Sequence, residues 1–357
     1  MASLTETAYF ARKAVNVSVI ILILVVILRI LWNVASGIRD KYFPPPPPPA
    51  TVAFDKLPYP NGQNTLASPS GGLTYTLETV DGGLPTLPPT LPIFFMTKAG
   101  PSFNSFDKMK VLAGKIGFIG IPAKTGATSW HFVDTDNPLR TLDIDEISQN
   151  FRETFNFAAD PSLFAEKNFT SVDDVIATAK GFFNGLGLLA SDLTAGNATV
   201  ALFRYDTGVL HPVTAISDAD AVGITLNRAE VSANKTIKYP VVSPDVRQGL
   251  VSVLFSGASD PKKKILDARY FYAVIDQENW ATYPLIKSSA ALDFLKAGKA
   301  IYASFPDPMP TSVTIRQAYV AYLDPYPAQS YLQPVLVFTD QKGFVAYVPL
   351  VDPSWLR

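Results

Sequence analysis

The sequence predicts an α+β protein in which tandem units, each with one helix packed on a three- or four-stranded antiparallel sheet, follow a single N-terminal transmembrane helix. An apolar run fills residues 14–38. Beyond it, segments with helical periodicity recur three times, and strand-like segments follow each of them. The 30 prolines, 23 phenylalanines and 15 tyrosines indicate many short strands and turns with aromatic packing.

Residues 14–38 are predicted to span a membrane. Between Val15 and Ile38 there are sixteen Leu, Ile or Val residues, and Arg29 is the only charge. Each aliphatic residue favours insertion by roughly 0.3–0.6 kcal/mol, whereas a central Arg opposes it by about 2.5–3.5 kcal/mol, so the aliphatic residues dominate. Arg29 can extend toward the interface, where an aromatic residue is also favoured. The residues predicted to contact lipid are Val19, Ile20, Leu24, Leu28, Arg29 and Trp32.

A cleaved signal peptide is the competing interpretation of this run. The run is longer than a typical signal-peptide core, and residues 35–37 offer a poor cleavage site, so an uncleaved signal anchor is predicted. Arg12 and Lys13 precede the run while Arg39 and Lys41 follow it, so the charge bias that sets orientation is weak. The predicted localisation is a cell membrane, single-pass, with the large C-terminal domain outside the cytoplasm.

A proline stalk and three α+β units are predicted after the anchor. Six consecutive prolines, Pro44–Pro49, form a polyproline II segment of about 19 Å at 3.1 Å per residue. The predicted organisation is a tail at 1–13, the transmembrane helix at 14–38, a collar and proline-rich linker at 39–70, and units at 71–165, 166–285 and 286–357.

Each unit contains one predicted helix with recognisable ends. The first helix, 103–118, is capped by Ser105 and ends at Gly117. The second, 172–186, starts with a capping box formed by Ser171 and Asp174. The third covers 289–297. The predicted strands are 73–80, 93–97, 130–134, 139–144, 151–157, 199–205, 221–231, 250–255, 268–275, 312–323, 332–338 and 344–350.

Charge and cysteine content exclude several functional classes. The chain has 30 Lys and Arg against 31 Asp and Glu, and the first 50 residues hold five and two of these, which leaves 25 against 29 in the rest. Without a basic excess there, nucleic-acid binding is not expected. The absence of cysteine excludes disulfides, a thiol nucleophile and a cysteine zinc site, which fits a cytosolic protein or a bacterial extracytoplasmic one.

The sequence shows no reaction chemistry, so no catalytic residue, cofactor, metal or small-molecule substrate is predicted. His131 and His211 are too few for a metal triad and are interpreted as structural. The acidic cluster Asp143, Asp145 and Glu146 suits either a Ca²⁺ or acid/base site or a solvated strand end, and the strand end is preferred. The basic run 262–264 suits an anionic surface or, by preference, a solvated loop.

Aromatic residues near the C-terminus are candidates for a partner surface. Tyrosine is enriched in protein interfaces, although it also covers the faces of sheets. The candidate partner-surface residues are Tyr319, Tyr322, Tyr326, Tyr331 and Tyr347.

Two passages carry a resemblance to a known family. One is AVGITLNRAEVSANKTIKYPVV at 221–242, and the other is AYVAYLDPYPAQSYLQPVLVFTDQKGFVAYVPLV at 318–351. Both resemble the extracytoplasmic domains of bacterial YycH/YycI-type regulatory proteins, and the helix–strand units more loosely resemble PepSY modules. The matching residues near the C-terminus are Tyr331, Leu332, Gln333, Pro334, Val335, Phe338, Tyr347, Val348 and Pro349.

The resemblance implies a non-catalytic regulator that contacts another membrane or envelope protein, with a membrane sensor kinase as the candidate partner. The proline stalk departs from the family pattern. A structural component of the cell envelope or of a surface assembly is the first alternative. An envelope enzyme or peptidase modulator is the second.

Overall fold

The structure, a computed structural model, describes residues 21–32, 49–60, 72–80, 82–233 and 237–357. The chain divides into two compact units, Met1–Pro49 and Ala50–Arg357. In the first unit, residues 21–32 form helix α1, whose side chains are exposed. Among the described residues, no helix has the length and apolar character needed to cross a bilayer. The predicted tail, both ends of the predicted span and most of the proline stalk lie outside the described residues.

The second unit is a mixed α and β structure in which sheets dominate and helices are few, in agreement with the predicted class. Its helices are α2 Ser105–Ile116, α3 Val172–Leu186, α4 Ser191–Ala195, α5 Pro261–Lys264 and α6 Ser288–Lys296. Its strands are β1 Thr74–Leu77, β2 Thr90–Thr97, β3 Ala123–Lys124, β4 Ser129–Val133, β5 Arg140–Asp145, β6 Phe151–Phe155, β7 Ala198–Asp206, β8 Val209–Val213, β9 Ala221–Leu226, β10 Val231–Ser232, β11 Lys238–Tyr239, β12 Val241–Val242, β13 Val251–Ser256, β14 Ile265–Tyr270, β15 Val274–Pro284, β16 Ile301–Ser304, β17 Ser312–Ile315, β18 Gln317–Leu323, β19 Tyr331–Thr339 and β20 Val345–Pro349.

The larger sheet has nine strands in the order β3-β4-β5-β6-β14-β13-β9-β7-β8, and every neighbouring pair is antiparallel. Helices α2 and α3 cover one face of this sheet. Met109 and Leu112 of α2 and Ala179 and Phe183 of α3 share one core with the apolar side chains of the strands, including Leu142. Burial of these side chains drives the helices onto the sheet.

The ends of α2 and α3 follow local sequence signals. The Ser171 hydroxyl accepts a hydrogen bond from the Asp174 N–H at 3.1 Å, which confirms the Ser171 half of the predicted capping box. The Asp174 carboxylate accepts from the Ser171 hydroxyl at 2.8 Å. Gly117 and Gly187 end the two helices in the left-handed conformation, as glycine readily does. The prediction that Ser105 caps α2 is wrong. The Ser105 hydroxyl accepts from the Ser102 N–H at 2.9 Å, and the helix begins after Asn104.

The smaller sheet has seven strands, with β12-β18-β19-β2-β15 in one path and β20 joining β19 to β16. Helix α6 packs on this sheet, where Ala291 and Leu295 are buried with Phe338 and Leu350. Strand β2 from the start of the unit lies between β15 and β19, so an early segment completes a sheet built mainly from the C-terminal part of the chain. The division of the sequence at residues 165 and 285 stays a prediction.

Most of strand β15 was not predicted from the sequence. The prediction of one strand at 268–275 is wrong. That segment splits into β14 and β15 around residues 271–273. Residues 276–279 of β15 are polar, and they lie where the pairing of β15 with β2 shifts register between Asp276 and Trp280. At this irregularity the Asp276 carboxylate accepts from the Glu278 and Asn279 N–H groups. Polar residues at a bulge therefore interrupt the alternation that would have revealed the strand.

A buried ionic triad lies on the helix-covered face of the larger sheet. Arg140 donates to Asp134 at 2.5 Å and to Glu153 at 2.7 Å, and the Glu153 side chain is fully buried. Burial outweighs the opposing charge of Arg140 and raises the pKa of Glu153 to about 7. The folded protein therefore holds a proton on Glu153 at pH values where the unfolded chain has lost it.

Replacing Glu153 should change how stability depends on pH. A raised folded-state pKa means that the contribution of Glu153 to stability is present below its ordinary pKa of 4.5 and is lost as the pH rises toward 7. Glu153→Gln has no such loss, so its stability relative to the parent should rise by at most about 3 kcal/mol between pH 4.5 and pH 8, as measured by urea unfolding. Glu278→Gln, at an exposed position, is the matched control. A stability difference that stays constant over this range would contradict the prediction.

Candidate functional site

A row of polar side chains crosses the larger sheet on the face opposite α2 and α3. His131 lies opposite Asp143, Asp143 opposite Arg152, and Arg152 opposite Arg269 in the strand register. Side chains alternate along a strand, and Ile144 belongs to the helix-covered core, so this row projects from the other face. One sheet face therefore builds the core, and the other presents charge.

The polar face and the loop after β18 enclose a cleft of about 510 Å³. The loop, residues 324–328, contributes Tyr326, whose ring centroid lies 4.6 Å from that of Phe271. The lining residues provide carboxylates, an amide, a guanidinium and aromatic rings. They include Asp143, Asp145, Ser148, Asn150, Arg152, Phe271, Tyr272, Asp324 and Tyr326.

A second cavity of about 260 Å³ shares Arg152, Phe271 and Tyr326 with the cleft. Asp267 lies between two arginines of this region: its carboxylate is 3.0 Å from Arg152 and 3.4 Å from Arg269. The Arg152 side chain is 44% exposed. A cation is therefore available beside the aromatic pair, where an anionic group of a ligand would meet it.

Arg228 holds the cleft loop against the larger sheet. Its guanidinium donates to Asp324 at 2.5 Å, to Asp192 at 2.8 Å and to the Ala273 carbonyl at 2.7 Å. The guanidinium also lies 4.1 Å from the ring centroid of Tyr272, whose hydroxyl donates to Asp192 at 2.7 Å. These partners come from both sheets, so one buried side chain fixes the position of the cleft's two walls.

The pKa values of Arg228 and Asp324 each depend on the charge of the partner. Burial acts to lower the pKa of Arg228, but the charges of Asp324 and Asp192 outweigh it and raise the pKa. Burial raises the pKa of Asp324, and the Arg228 charge opposes that rise. Each buried charge therefore depends on its partner, and removing one leaves the others without compensation.

The predicted acidic cluster is divided among three structural contacts. Asp145 accepts from the Thr128 hydroxyl and from the Ser148 N–H, which fixes the turn after β5. Burial would raise the pKa of Asp145, but these hydrogen bonds outweigh it and lower the pKa. Glu146 accepts from the Trp130 indole at 2.8 Å. The part of the chain that the structure describes contains no group of three or more His, Asp or Glu side chains placed to hold a metal ion.

The two histidines lie in different strands. His131 Nδ1 lies 2.7 Å from Asp143 Oδ1 near the cleft. His211 lies in β8, opposite Arg204. The structure therefore brings one predicted histidine to the predicted acidic cluster and leaves the other at the far edge of the sheet.

Two of the predicted partner-surface tyrosines are core residues, which corrects the prediction for them. Tyr322 is fully buried and donates to the Pro92 carbonyl at 2.7 Å, and Tyr347 is buried and donates to the Ser243 carbonyl at 2.8 Å. Tyr322 lies in the buried second half of β18, and Tyr347 lies in the buried part of β20. Whether the other three tyrosines meet a partner stays a prediction.

Those three tyrosines occupy different surroundings. Tyr326 lines the cleft. Tyr331 packs with its ring centroid 5.0 Å from that of Phe54, and Tyr319 is 37% exposed.

The remaining predicted sites lie apart from the cleft. Lys262 of α5 pairs with Asp136 at 2.6 Å, and Lys263 donates to the Ser162 hydroxyl at 3.1 Å, so the lysine run contacts two distant turns of the same unit. Four of the predicted lipid-contacting residues, Leu24, Leu28, Arg29 and Trp32, lie exposed in α1. The other two, Val19 and Ile20, lie outside the described residues.

Sequence reasoning missed the groups that hold the cleft together. Arg228 and Asp324 are 96 positions apart, and their pairing leaves no local pattern. The available signal was the position of each residue just after an apolar strand. That position brings a charge to the end of a sheet, where a charge from another strand can meet it.

Comparisons with known proteins give weak structural likenesses. No family model matches the sequence, and no curated protein matches it either. Among solved structures, an uncharacterized protein from Eubacterium rectale is similar with TM-score 0.38 and 10% identity, over 72% of this chain and 81% of that chain. The C-terminal domain of Bacillus megaterium YpeB is similar with TM-score 0.30 and 10% identity, over 71% of this chain and 94% of that chain. Likenesses of this strength assign neither a fold family nor a function.

Removing the Arg228 guanidinium should destabilise the protein strongly. Arg228→Met leaves Asp192 and Asp324 buried without a cation, which is expected to cost about 3–5 kcal/mol in the free energy of unfolding. Arg152→Met is the matched control, because Arg152 is partly exposed and its ion pair should contribute no more than about 1 kcal/mol. Urea unfolding measures both values. Equal losses in the two variants would show that the Arg228 network has no special role.

Proposed function

We propose that this chain is a membrane-anchored, non-catalytic regulatory protein whose domain outside the cytoplasm binds a segment of another membrane or envelope protein in the cleft. The cleft carries the proposal. Its volume of about 510 Å³ suits several side chains of a ligand, and it lies within the range of about 300–1,000 Å³ that is usual for binding sites. Its two walls come from different sheets, so a bound segment would contact both.

The chemistry of the lining favours peptide recognition. Phe271 and Tyr326 offer flat apolar surfaces, and such aromatic side chains contribute strongly to protein interfaces. Arg152 provides a partly exposed cation, and Asp143 provides a carboxylate that is 63% exposed. A peptide with one apolar and two oppositely charged side chains would match these groups.

Binding is favoured over catalysis because the lining carboxylates already serve structural contacts. Asp145 holds a turn, and Asp324 holds Arg228. A general acid or base needs a carboxylate free to exchange a proton with a substrate. Asp143 is the accessible carboxylate in the cleft, and it lies beside His131.

We further propose that the helix–sheet units are PepSY/YycI-like and that the partner is a membrane sensor kinase. Support comes from the order of elements: α2, α3 and α6 each precede antiparallel strands. The matching residues near the C-terminus lie in the neighbouring strands β19 and β20, in which Val335 lies opposite Pro349. The signal anchor proposed at 14–38 would place the domain beside such a partner.

The anchor is tested by extraction of native membranes with alkaline carbonate. The sixteen aliphatic residues between Val15 and Ile38 should keep the full chain in the membrane pellet. Release of the intact chain into the supernatant, or a mature form that begins after Pro49, would contradict the anchor. Neither result would bear on the cleft.

Cleft binding is tested by photocrosslinking in intact cells. A photoreactive phenylalanine analogue at position 326 should form an adduct with one membrane or envelope protein, because Tyr326 lines the cleft. The same analogue at position 209, in edge strand β8, is the matched control.

The Arg152→Glu variant supplies a second control, since it reverses the charge at position 152 in the cleft while the probe stays in place. It should reduce the adduct at position 326 at least tenfold. No adduct at position 326, or the same adducts at both probe positions, would overturn the proposal.

A further inference from the structure

Helix α2 and its flanking loops, residues 98–124, expose apolar side chains to an unusual degree. We call this region the α2 surface. Phe103 and Ile121 are fully exposed, and Ile119 is 82% exposed. Val111 on the helix itself is also exposed. Scattered apolar side chains are normal on a protein surface, but several on one helix and its adjacent loops indicate an interaction site.

The loop after α2 concentrates this apolar character at one corner of the larger sheet. Between the two exposed isoleucines, an ideal Cβ on Gly120 would lie 3.5 Å from the Val133 carbonyl oxygen. Ile119 and Ile121 therefore flank Gly120 in the loop that leads from α2 to edge strand β3.

Lysines accompany these apolar side chains. The α2 surface contains Lys98, Lys108, Lys110, Lys115 and Lys124, whereas Asp107 is its single acidic residue. This local excess of four positive charges occurs in a chain whose residues after position 50 are acidic overall. All five lysines are exposed, and none forms an ion pair with any of the described residues. The ammonium groups are therefore not engaged in ion pairs, and the surface keeps a net positive charge.

The helix itself separates a buried stripe from a basic one. Met109 and Ile116 pack into the core of the larger sheet. Lys108, Val111 and Lys115 are spaced by three and four residues, so they share the opposite, exposed stripe. Two further lysines lie against aromatic rings at the edge of this region: Lys110 is 5.7 Å from the ring centroid of Phe106 and Lys124 is 5.4 Å from that of Trp130.

We propose that the α2 surface docks on a bilayer containing anionic lipid. Exposed aliphatic side chains among unpaired lysines are the composition of segments that lie in a membrane interface, where the apolar groups enter the acyl boundary and the ammonium groups meet anionic headgroups. A protein partner is the less suitable occupant, because lysine is depleted in protein interfaces and Arg and aromatic residues are enriched. The surface lies on the opposite face of the larger sheet from the cleft, so docking is independent of cleft binding.

Site-specific fluorescence on the full chain tests this docking. The protein has no cysteine, so Ile121→Cys can carry a single environment-sensitive dye. Val209→Cys is the matched control: Val209 is an exposed aliphatic residue in β8, and β8 and β3 are opposite edges of the nine-stranded sheet, about 38 Å apart at 4.8 Å per strand. The labelled proteins are reconstituted into vesicles of phosphatidylcholine alone or of phosphatidylcholine and phosphatidylglycerol at 3:1, each with spin-labelled lipid as quencher.

The dye at position 121 should be quenched in the anionic vesicles and much less in the neutral ones, while the dye at position 209 should be quenched in neither. Lys108→Gln, Lys110→Gln and Lys115→Gln together should lower the docking equilibrium constant about a hundredfold, since each lysine near an anionic surface contributes about fivefold. The same three changes at Lys262, Lys263 and Lys264 remove equal charge and should have no effect. Circular dichroism verifies that each variant is folded.

Each outcome decides a separate point. Equal quenching at positions 121 and 209, equal quenching in both lipids, or quenching that survives the α2 lysine changes would overturn docking. Failure of the protein to float with neutral vesicles would count against the membrane anchor alone, because lysine-dependent binding to anionic vesicles would persist without it. Failure of the crosslink at position 326 would count against cleft binding alone.

Discussion

The contact of Arg228 with Asp324 is the interaction on which the rest of the second unit depends. Asp324 directly follows β18 of the smaller sheet, and Arg228 lies two residues after β9 of the larger one. Replacing a buried ion pair by apolar side chains is often neutral for stability, so such a pair is better understood as a device that selects one arrangement. Here Arg228 forms directional bonds to Asp324, Asp192 and the Ala273 carbonyl, and these bonds join the loop after β18 to the larger sheet. Asp324 and Tyr326 of that loop line the cleft.

The two faces of the larger sheet differ in chemistry and in what they contact. Apolar side chains such as Leu142 and Phe151 hold α2 and α3 on one face, while Asp143 and Arg152 line the cleft on the other. A sheet with one apolar face and one polar face is the expected result of strict alternation along antiparallel strands. When the outer side of α2 rests on lipid, the sheet lies between the bilayer and the cleft.

Sequence reasoning succeeded where the deciding interactions are local. The Ser171 cap of α3 and the glycine that ends α2 act within a few residues, so they are visible in the sequence. It failed where an interaction joins distant segments. Strand alternation cannot show that other elements cover Tyr322 of β18 and Tyr347 of β20, so the predicted partner surface includes both residues although they are buried. The cleft could not be predicted either, because its walls meet only through contacts such as the one between Arg228 and Asp324.

The position of β2 has a consequence for how the protein is made. The larger sheet takes all its strands from the part of the chain between β3 and β14, whereas β2 pairs with strands that follow it by more than 170 residues. A ribosome or translocon delivers the N-terminal end first, so β2 emerges long before either neighbour exists. During that interval its apolar residues have no sheet to join, and unpaired strands of this kind are prone to aggregate. The smaller sheet can close only after release of the last segment. A nascent chain that stalls early therefore exposes an unpaired β2, which a quality-control protease can recognise.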